Sequence, residues 1–150
     1  MSADGKRLLA CGRGNISTKI FDFDETTSTW SIVATIPGGT SDKYACALSP
    51  SGNRAIIGRY PIKVFDRDES SSTWIERGAL PFSNGLTYTG RAQADFADYN
   101  GNYLALGANQ FHINNYDNIS GISFFYTLSD PLEIAVDPAG KAKPSSTTVS

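Results

Sequence analysis

The stretch Phe21-Asp22-Phe23-Asp24-Glu25-Thr26-Thr27-Ser28-Thr29-Trp30 returns 44 positions later as Phe65-Asp66-Arg67-Asp68-Glu69-Ser70-Ser71-Ser72-Thr73-Trp74. The Phe, both Asp, the Glu, the last Ser, the Thr and the Trp are identical. Thr26 and Thr27 become Ser70 and Ser71, and only Phe23 to Arg67 changes character. Identity of that length at a fixed offset is an internal repeat, and it governs the reading of everything around it.

Working outward, each copy follows a Gly-centred turn. Ser2-Ala3-Asp4-Gly5-Lys6-Arg7, Ser49-Pro50-Ser51-Gly52-Asn53-Arg54 and Asp98-Tyr99-Asn100-Gly101-Asn102-Tyr103 place Gly5, Gly52 and Gly101 at the same point. Asp4-Gly5 and Asn100-Gly101 predict two-residue hairpins, whose central positions both need positive φ. An apolar run follows each turn and ends in Gly12, Gly58 or Gly107, which predicts a bend or a close backbone approach. No stretch holds the apolar period of a helix, whereas short Val, Ile, Phe, Tyr and Thr runs between Gly, Pro, Asn, Asp and Ser read as strands. Strands are expected at residues 7–12, 18–24, 30–36, 44–48, 54–59, 62–68, 74–80, 92–96, 103–107, 122–128 and 132–136.

Each complete unit thus spans about 45–50 residues and four antiparallel strands, a to d, which is the size of a propeller blade. The expected fold is all-β, with about three four-stranded antiparallel propeller blades forming a partial or open propeller. Blade 1 is expected over 1–38 without its first strand, blade 2 over 39–85, and blade 3 over 86–137 with a long inserted loop. Residues 138–150 read as a polar disordered tail. Trp30 and Trp74 are expected to be equivalent core residues, each packing the start of strand d into its own blade.

The pattern S-x-x-G-x-x-apolar-G, then apolar-x-apolar-F-D-x-D, then S-T-W, resembles the FG-GAP-like propeller repeats abundant in algal and other protist proteins. It is more distantly similar to WD-type blades. The resemblance covers residues 2–128 and implies the propeller fold. The integrin-type calcium loop and the Trp-Asp ending of WD blades are both missing, so neither family's ligand sites carry over.

The net charge of -2, with Lys and Arg scattered, gives no reason to expect a nucleic-acid or anionic-membrane partner. No run is long enough to insert in a bilayer. Residues 1–5 lack the basic and apolar regions of a secretory signal. Cys11 and Cys46 sit in apolar runs and read as buried free thiols, not a bridge.

Asp22-x-Asp24-Glu25 and Asp66-x-Asp68-Glu69 are the obvious carboxylate clusters, but they lack the central Gly and distal Glu of a calcium loop. They read as solvated strand ends running into Ser/Thr turns that cap backbone groups. The turn is also similar to the Asp-box of sialidase propellers without its Gly, and that box is structural. His112, the single histidine, has no second His for zinc and no nucleophile elbow to serve. No catalytic residue, metal site or cofactor is therefore expected.

The variable region is the b–c loop, which needs only Tyr60-Pro61 in blade 2 but takes residues 108–121 in blade 3. In a propeller the b–c and d–a loops share a rim, and loops on a rigid scaffold are where binding accumulates. The candidate binding rim is Phe82, Tyr88, Phe111, His112 and Tyr116. The expected function is a non-enzymatic binding or scaffold module within a larger propeller, contacting protein or, as a second ligand class, glycan. The alternative is a piece of a propeller hydrolase whose catalytic groups lie outside these residues. Terminal blades with one face wet also predict self-association, two arcs closing a ring of about six blades.

Overall fold

A computed structural model describes residues 1–12, 16–37, 45–58, 61–80, 86–88, 92–108, 111–113, 116–119, 122–128 and 134–136. Phe82 and the tail at 138–150 lie outside them. The described residues hold no helix. Their strands are β1 (Arg7–Ala10), β2 (Thr18–Asp24), β3 (Thr29–Ile36), β4 (Ala45–Leu48), β5 (Arg54–Gly58), β6 (Ile62–Asp68) and β7 (Thr73–Ala79). These continue with β8 (Leu86–Tyr88), β9 (Ala92–Phe96), β10 (Tyr103–Ala108), β11 (Phe111–Ile113), β12 (Tyr116–Ile119), β13 (Ile122–Leu128) and β14 (Ile134–Val136).

Three antiparallel sheets run β1-β2-β3, β4-β5-β6-β7 and β9-β10-β13-β14, and a smaller one runs β8-β11-β12. The first three are the blades, and their strands lie where the sequence places them to within a residue or two at the ends. The small sheet falls in stretches read as loops.

The Gly-centred turns correct one expectation. Gly5, Gly52 and Gly101 have φ of +74°, +77° and +78°, but neither Asp4 nor Asn100 has a positive φ. The backbone N–H groups of Gly5, Gly52 and Gly101 donate to the carbonyls of Ser2, Ser49 and Asp98 at 3.1, 2.8 and 3.3 Å. These are i to i+3 turns with Gly in the left-handed place after them, not two-residue hairpins. The side chain that opens each turn is the cause. Ser2 Oγ, Ser49 Oγ and Asp98 Oδ1 accept the N–H of Arg7, Arg54 and Tyr103 at 2.8, 3.0 and 2.7 Å, which closes a wider loop. Among the strand-end glycines, a Cβ on Gly12 would lie 2.5 Å from the Ile16 carbonyl oxygen and one on Gly58 2.6 Å from that of Pro61. Those are the close approaches expected, whereas the space at Gly107 is open.

The core lies between blades, because each sheet buries its faces on its neighbours. Between blades 2 and 3, Ala45, Ile56, Ile62, Val64 and Leu80 pack with Phe96, Leu104, Leu106, Tyr126 and Leu128. Between blades 1 and 2, Leu48, Ala55, Ile57 and Phe65 pack with Leu9, Ile36 and Trp74. Blade 2 is covered on both faces, so consecutive residues Arg54 to Ile57 are all buried where a half-exposed strand would alternate. Each fully buried Ile, Leu or Val contributes roughly 1.5–3 kcal/mol.

Cys11 and Cys46 are joined as a disulfide, with Cα atoms 6.5 Å apart, tying the end of β1 to β4. This corrects the reading of buried free thiols: Cys11 is exposed and Cys46 half-buried. Blade stacking brings them together, and stacking leaves no trace in their sequence spacing.

Candidate functional site

The rim carrying the a–b turns is built around one device used twice. Arg7, the first residue of β1, donates Nε and Nη2 to both oxygens of Asp22 at 2.6 and 2.7 Å. Its Nη1 then reaches blade 2, donating to Gly52 O at 3.0 Å and Asn53 Oδ1 at 3.2 Å. Arg54 repeats this, with Asp66 at 2.6 and 2.9 Å, Gly101 O at 3.2 Å, and Asn102 Oδ1 and Leu128 O at 3.3 Å. The guanidinium fork matches a carboxylate in its own blade and leaves one nitrogen for the next. Backbone bonds follow the same route, from Ala3 N to Pro50 O at 2.7 Å and from Ser51 N to Tyr99 O at 2.8 Å. Pro50 has no N–H, so at the second junction the next residue donates.

Asp22 and Asp66 are therefore not solvated strand ends but halves of inter-blade latches, which the sequence reading missed. The signal was present as Gly5-Lys6-Arg7 and Gly52-Asn53-Arg54, an Arg two residues after each turn glycine. Asp24 and Asp68 do what was expected and cap their turns. Asp24 accepts from the Thr26 N–H at 2.8 Å, and Asp68 from the Ser70 N–H at 2.9 Å and the Ser70 and Ser71 hydroxyls at 2.7 and 2.9 Å. The Ser70 and Ser71 hydroxyls hold the Asp68 carboxyl down at about 2, and Thr26 likewise lowers that of Asp24. Both carboxylates face water.

A polar groove of about 470 Å³ opens beside the second latch, lined by Asn53, Arg54, Asp66, Arg67, Glu69, Arg77 and the Asn100–Asn102 turn. Its charged side chains already have polar or charged partners. Arg77 Nε lies 3.6 Å from Asp66, Asn53 donates to Glu69 at 3.1 Å, and Arg67 donates to Ser72 at 3.1 Å. Among the described residues no group of three or more His, Cys, Asp or Glu is placed to hold a metal ion. Among the described residues no helix is long and apolar enough to cross a membrane.

On the opposite rim, β8 from the d–a loop pairs antiparallel with β11 from the long b–c loop, and β11 pairs with β12. Tyr88 is the cross-strand partner of Phe111, and His112 sits opposite Thr87. Tyr116 pairs with Ile113, beyond a register shift from the Phe111–Ile119 pair. The fold thus brings Tyr88, Phe111, His112 and Tyr116 into one sheet, while Phe82 lies outside the described residues.

The repeat tryptophans have different surroundings. Trp74 is half-buried against the cluster between blades 1 and 2, with the Arg7 guanidinium 5.9 Å from its ring centre. Trp30 departs from the expectation of a core residue: it is 44% exposed, with Phe23 at 5.2 Å as its aromatic neighbour. Blade 1 covers Trp74, and among the described residues no sheet covers Trp30.

No family model matches the chain, and no curated protein does. Solved structures do. A 6-phosphogluconolactonase-like protein of Bacteroides uniformis matches with a TM-score of 0.58 at 16% identity over 92% of this chain. A protein from Lactobacillus plantarum matches with a TM-score of 0.60 at 15% identity over 91%. The chain spans 38% of the length of each. At such identity the likeness carries the fold alone, and with the sheets above it makes the chain an all-β, partial β-propeller.

Proposed function

We propose that the chain is a non-enzymatic binding or scaffold part of a larger β-propeller, contacting protein or, as the second ligand class, glycan through the rim of β8, β11 and β12. One observation carries the reading: loops from two consecutive blades are joined into a sheet that none of the blades needs. Blade 2 connects its strands b and c through a handful of residues, so the insertion in blade 3 does not serve the fold. A sheet standing on a rim is a platform for recognition, and its edge strands β8 and β12 offer backbone groups for strand addition. The FG-GAP-like and WD-type resemblance of the repeat belongs with this reading, since such blades serve as interaction scaffolds.

Replacing residues 109–120 of the natural-length protein by Tyr-Pro, the blade 2 connection, tests it. The melting temperature is expected to hold while binding on glycan arrays and peptide-display libraries is lost. Undiminished binding to the same ligands would refute it. A second reading, a propeller hydrolase with its catalytic groups outside these residues, draws support from the lactonase-like neighbour. Hydrolysis of a phosphorylated sugar lactone by the natural-length protein would decide for it.

A further inference from the structure

We infer that the groove beside the second latch binds an acidic sugar, whose carboxylate it takes on Arg77. The groove lies on the opposite rim from β8, β11 and β12, so the inference is independent of the binding reading above. Blade 1 serves as an internal control. Its places for Arg67 and Arg77 hold Phe23 and Val33. Both blades nevertheless form the Arg–Asp latch, the Asp-capped turn and a register shift after Ile20 or Val64. Neither arginine is therefore needed for strand, turn or register, yet both line one groove of about 470 Å³. Small-molecule sites run from roughly 300 to 1,000 Å³. Val64 pairs with Gly78 and Phe65 with Glu76, so Arg77 is the extra residue of the bulge. A bulge re-aims the side chain it carries, here toward Asp66.

Asp66 leaves Arg77 little to hold. Arg54 takes both Asp66 oxygens at 2.6 and 2.9 Å, and Arg77 Nε stands off at 3.6 Å. Neither terminal nitrogen of Arg77 has a hydrogen-bond partner among the described residues, and its side chain is 44% exposed. Arg67 donates to the neutral Ser72. Three guanidinium groups, of Arg54, Arg67 and Arg77, thus line the groove with two carboxylates, of Asp66 and Glu69, which leaves one positive charge. A carboxylate balances it and matches the guanidinium fork with two oxygens. A phosphate monoester, at about −1.5 to −2 near pH 7, would put excess negative charge beside Asp66 and Glu69. The lining holds no apolar side chain. Asn102 gives Oδ1 to Arg54, so its Nδ2 is left to donate, and Glu69 accepts from Asn53 on Oε1, so its Oε2 is left to accept. Amide donors and a carboxylate acceptor around one surplus cation suit a ring that carries several hydroxyls and one carboxylate.

Calorimetric titration of glucuronate and galacturonate into the chain, beside glucose and galactose, tests it. Saturable binding of at least one uronate below about 10 mM is expected, with its neutral parent at least about tenfold weaker. Arg77→Val installs the residue that blade 1 carries at this place. Its melting temperature should stay within about 2 °C of wild type while uronate affinity falls at least about tenfold. Arg77→Lys keeps the charge and the stem but not the fork, and should weaken binding at least about threefold whatever valine does to the fold. No uronate binding up to about 10 mM would overturn the inference, as would a neutral sugar that binds equally well. So would undiminished affinity in either variant. Glucose 6-phosphate binding more tightly than both uronates would assign the groove to phosphate esters and overturn it too.

Discussion

Phe65 and Trp74 of blade 2 hold the same places on their sheet as Phe21 and Trp30 hold on theirs. Blade 1 lies over the first pair, and among the described residues nothing lies over the second. In blade 2 the cover buries Phe65 to 6% exposure and lays Arg7 over Trp74. In blade 1 the same turn, the same Asp caps and the same aromatic pair leave Trp30 wet. Closely similar local sequence therefore fixes strand, turn and register in both blades, while burial belongs to the neighbour. A residue in a repeat protein is core only when the adjoining repeat is present.

The largest expected effect lies in the latches. Arg54 and Asp66 have side chains only 7% and 15% exposed, so Arg54→Ala strands a buried carboxylate and should cost about 3–5 kcal/mol. Arg7→Ala, where the pair is 14% and 28% exposed, should cost less, about 1–3 kcal/mol. Urea midpoints of the two variants measure the difference, and equal losses would break the comparison of a doubly covered blade with a singly covered one.

Next comes the disulfide across the blade 1–blade 2 junction. Cys11 and Cys46 are 35 positions apart, and closing a loop of that size in the unfolded chain is worth up to about 3–4 kcal/mol. Cys11→Ser with Cys46→Ser should lower stability by that amount or somewhat less, read in the same denaturation series. Because the link acts on the cover itself, the variant should also loosen Trp74 while leaving Trp30 as it is.

The tryptophans follow. Trp74→Ala removes a half-buried ring and should cost about 2–3 kcal/mol, and Trp30→Ala about 1 kcal/mol or less in the monomer. Trp74→Phe should be milder than a buried indole usually implies, because Trp74 Nε1 has no hydrogen-bond partner among the described residues. Comparable losses at Trp30 and Trp74 would mean that each ring packs within its own blade.

The smallest effect is a titration. Asp68 lies at about 2, below its ordinary 3.8, and Asp24 is lowered as well, so each favours the folded state when ionised. That contribution is present above pH 4 and is lost as the pH falls through the folded value toward 2. Carboxylate NMR should show Asp68 ionised at pH 3, and Ser70→Ala with Ser71→Ala should raise its midpoint toward 3.8. A midpoint already at 3.8 in the wild type would remove the capping account.

What the sequence made legible follows from what is local. Alternating apolar runs, Gly at left-handed positions and Ser/Thr after Asp act within a few residues, so strands, turns and caps were readable. The partners of Arg7 and Arg54 in the next blade lie 45 to 74 residues away, and the disulfide spans 35. Only the repeated Gly-x-Arg hinted at the first, and nothing hinted at the second. The two-residue hairpins failed because a capping Ser or Asp at the turn's start outweighs the Asp-Gly or Asn-Gly preference. The pairing of β8 with β11 could be foreseen only as a shared rim, since three-residue strands carry no period to read.

The central claim is that a repeat residue is core only where the adjoining blade covers it, as blade 1 covers Trp74. Acrylamide quenching of single-tryptophan variants at submicromolar concentration tests it most directly, with Trp74→Phe reporting Trp30 and Trp30→Phe reporting Trp74. The expected result is Trp30 quenched several-fold more readily than Trp74. Equal protection of both rings in the dilute chain would contradict the account.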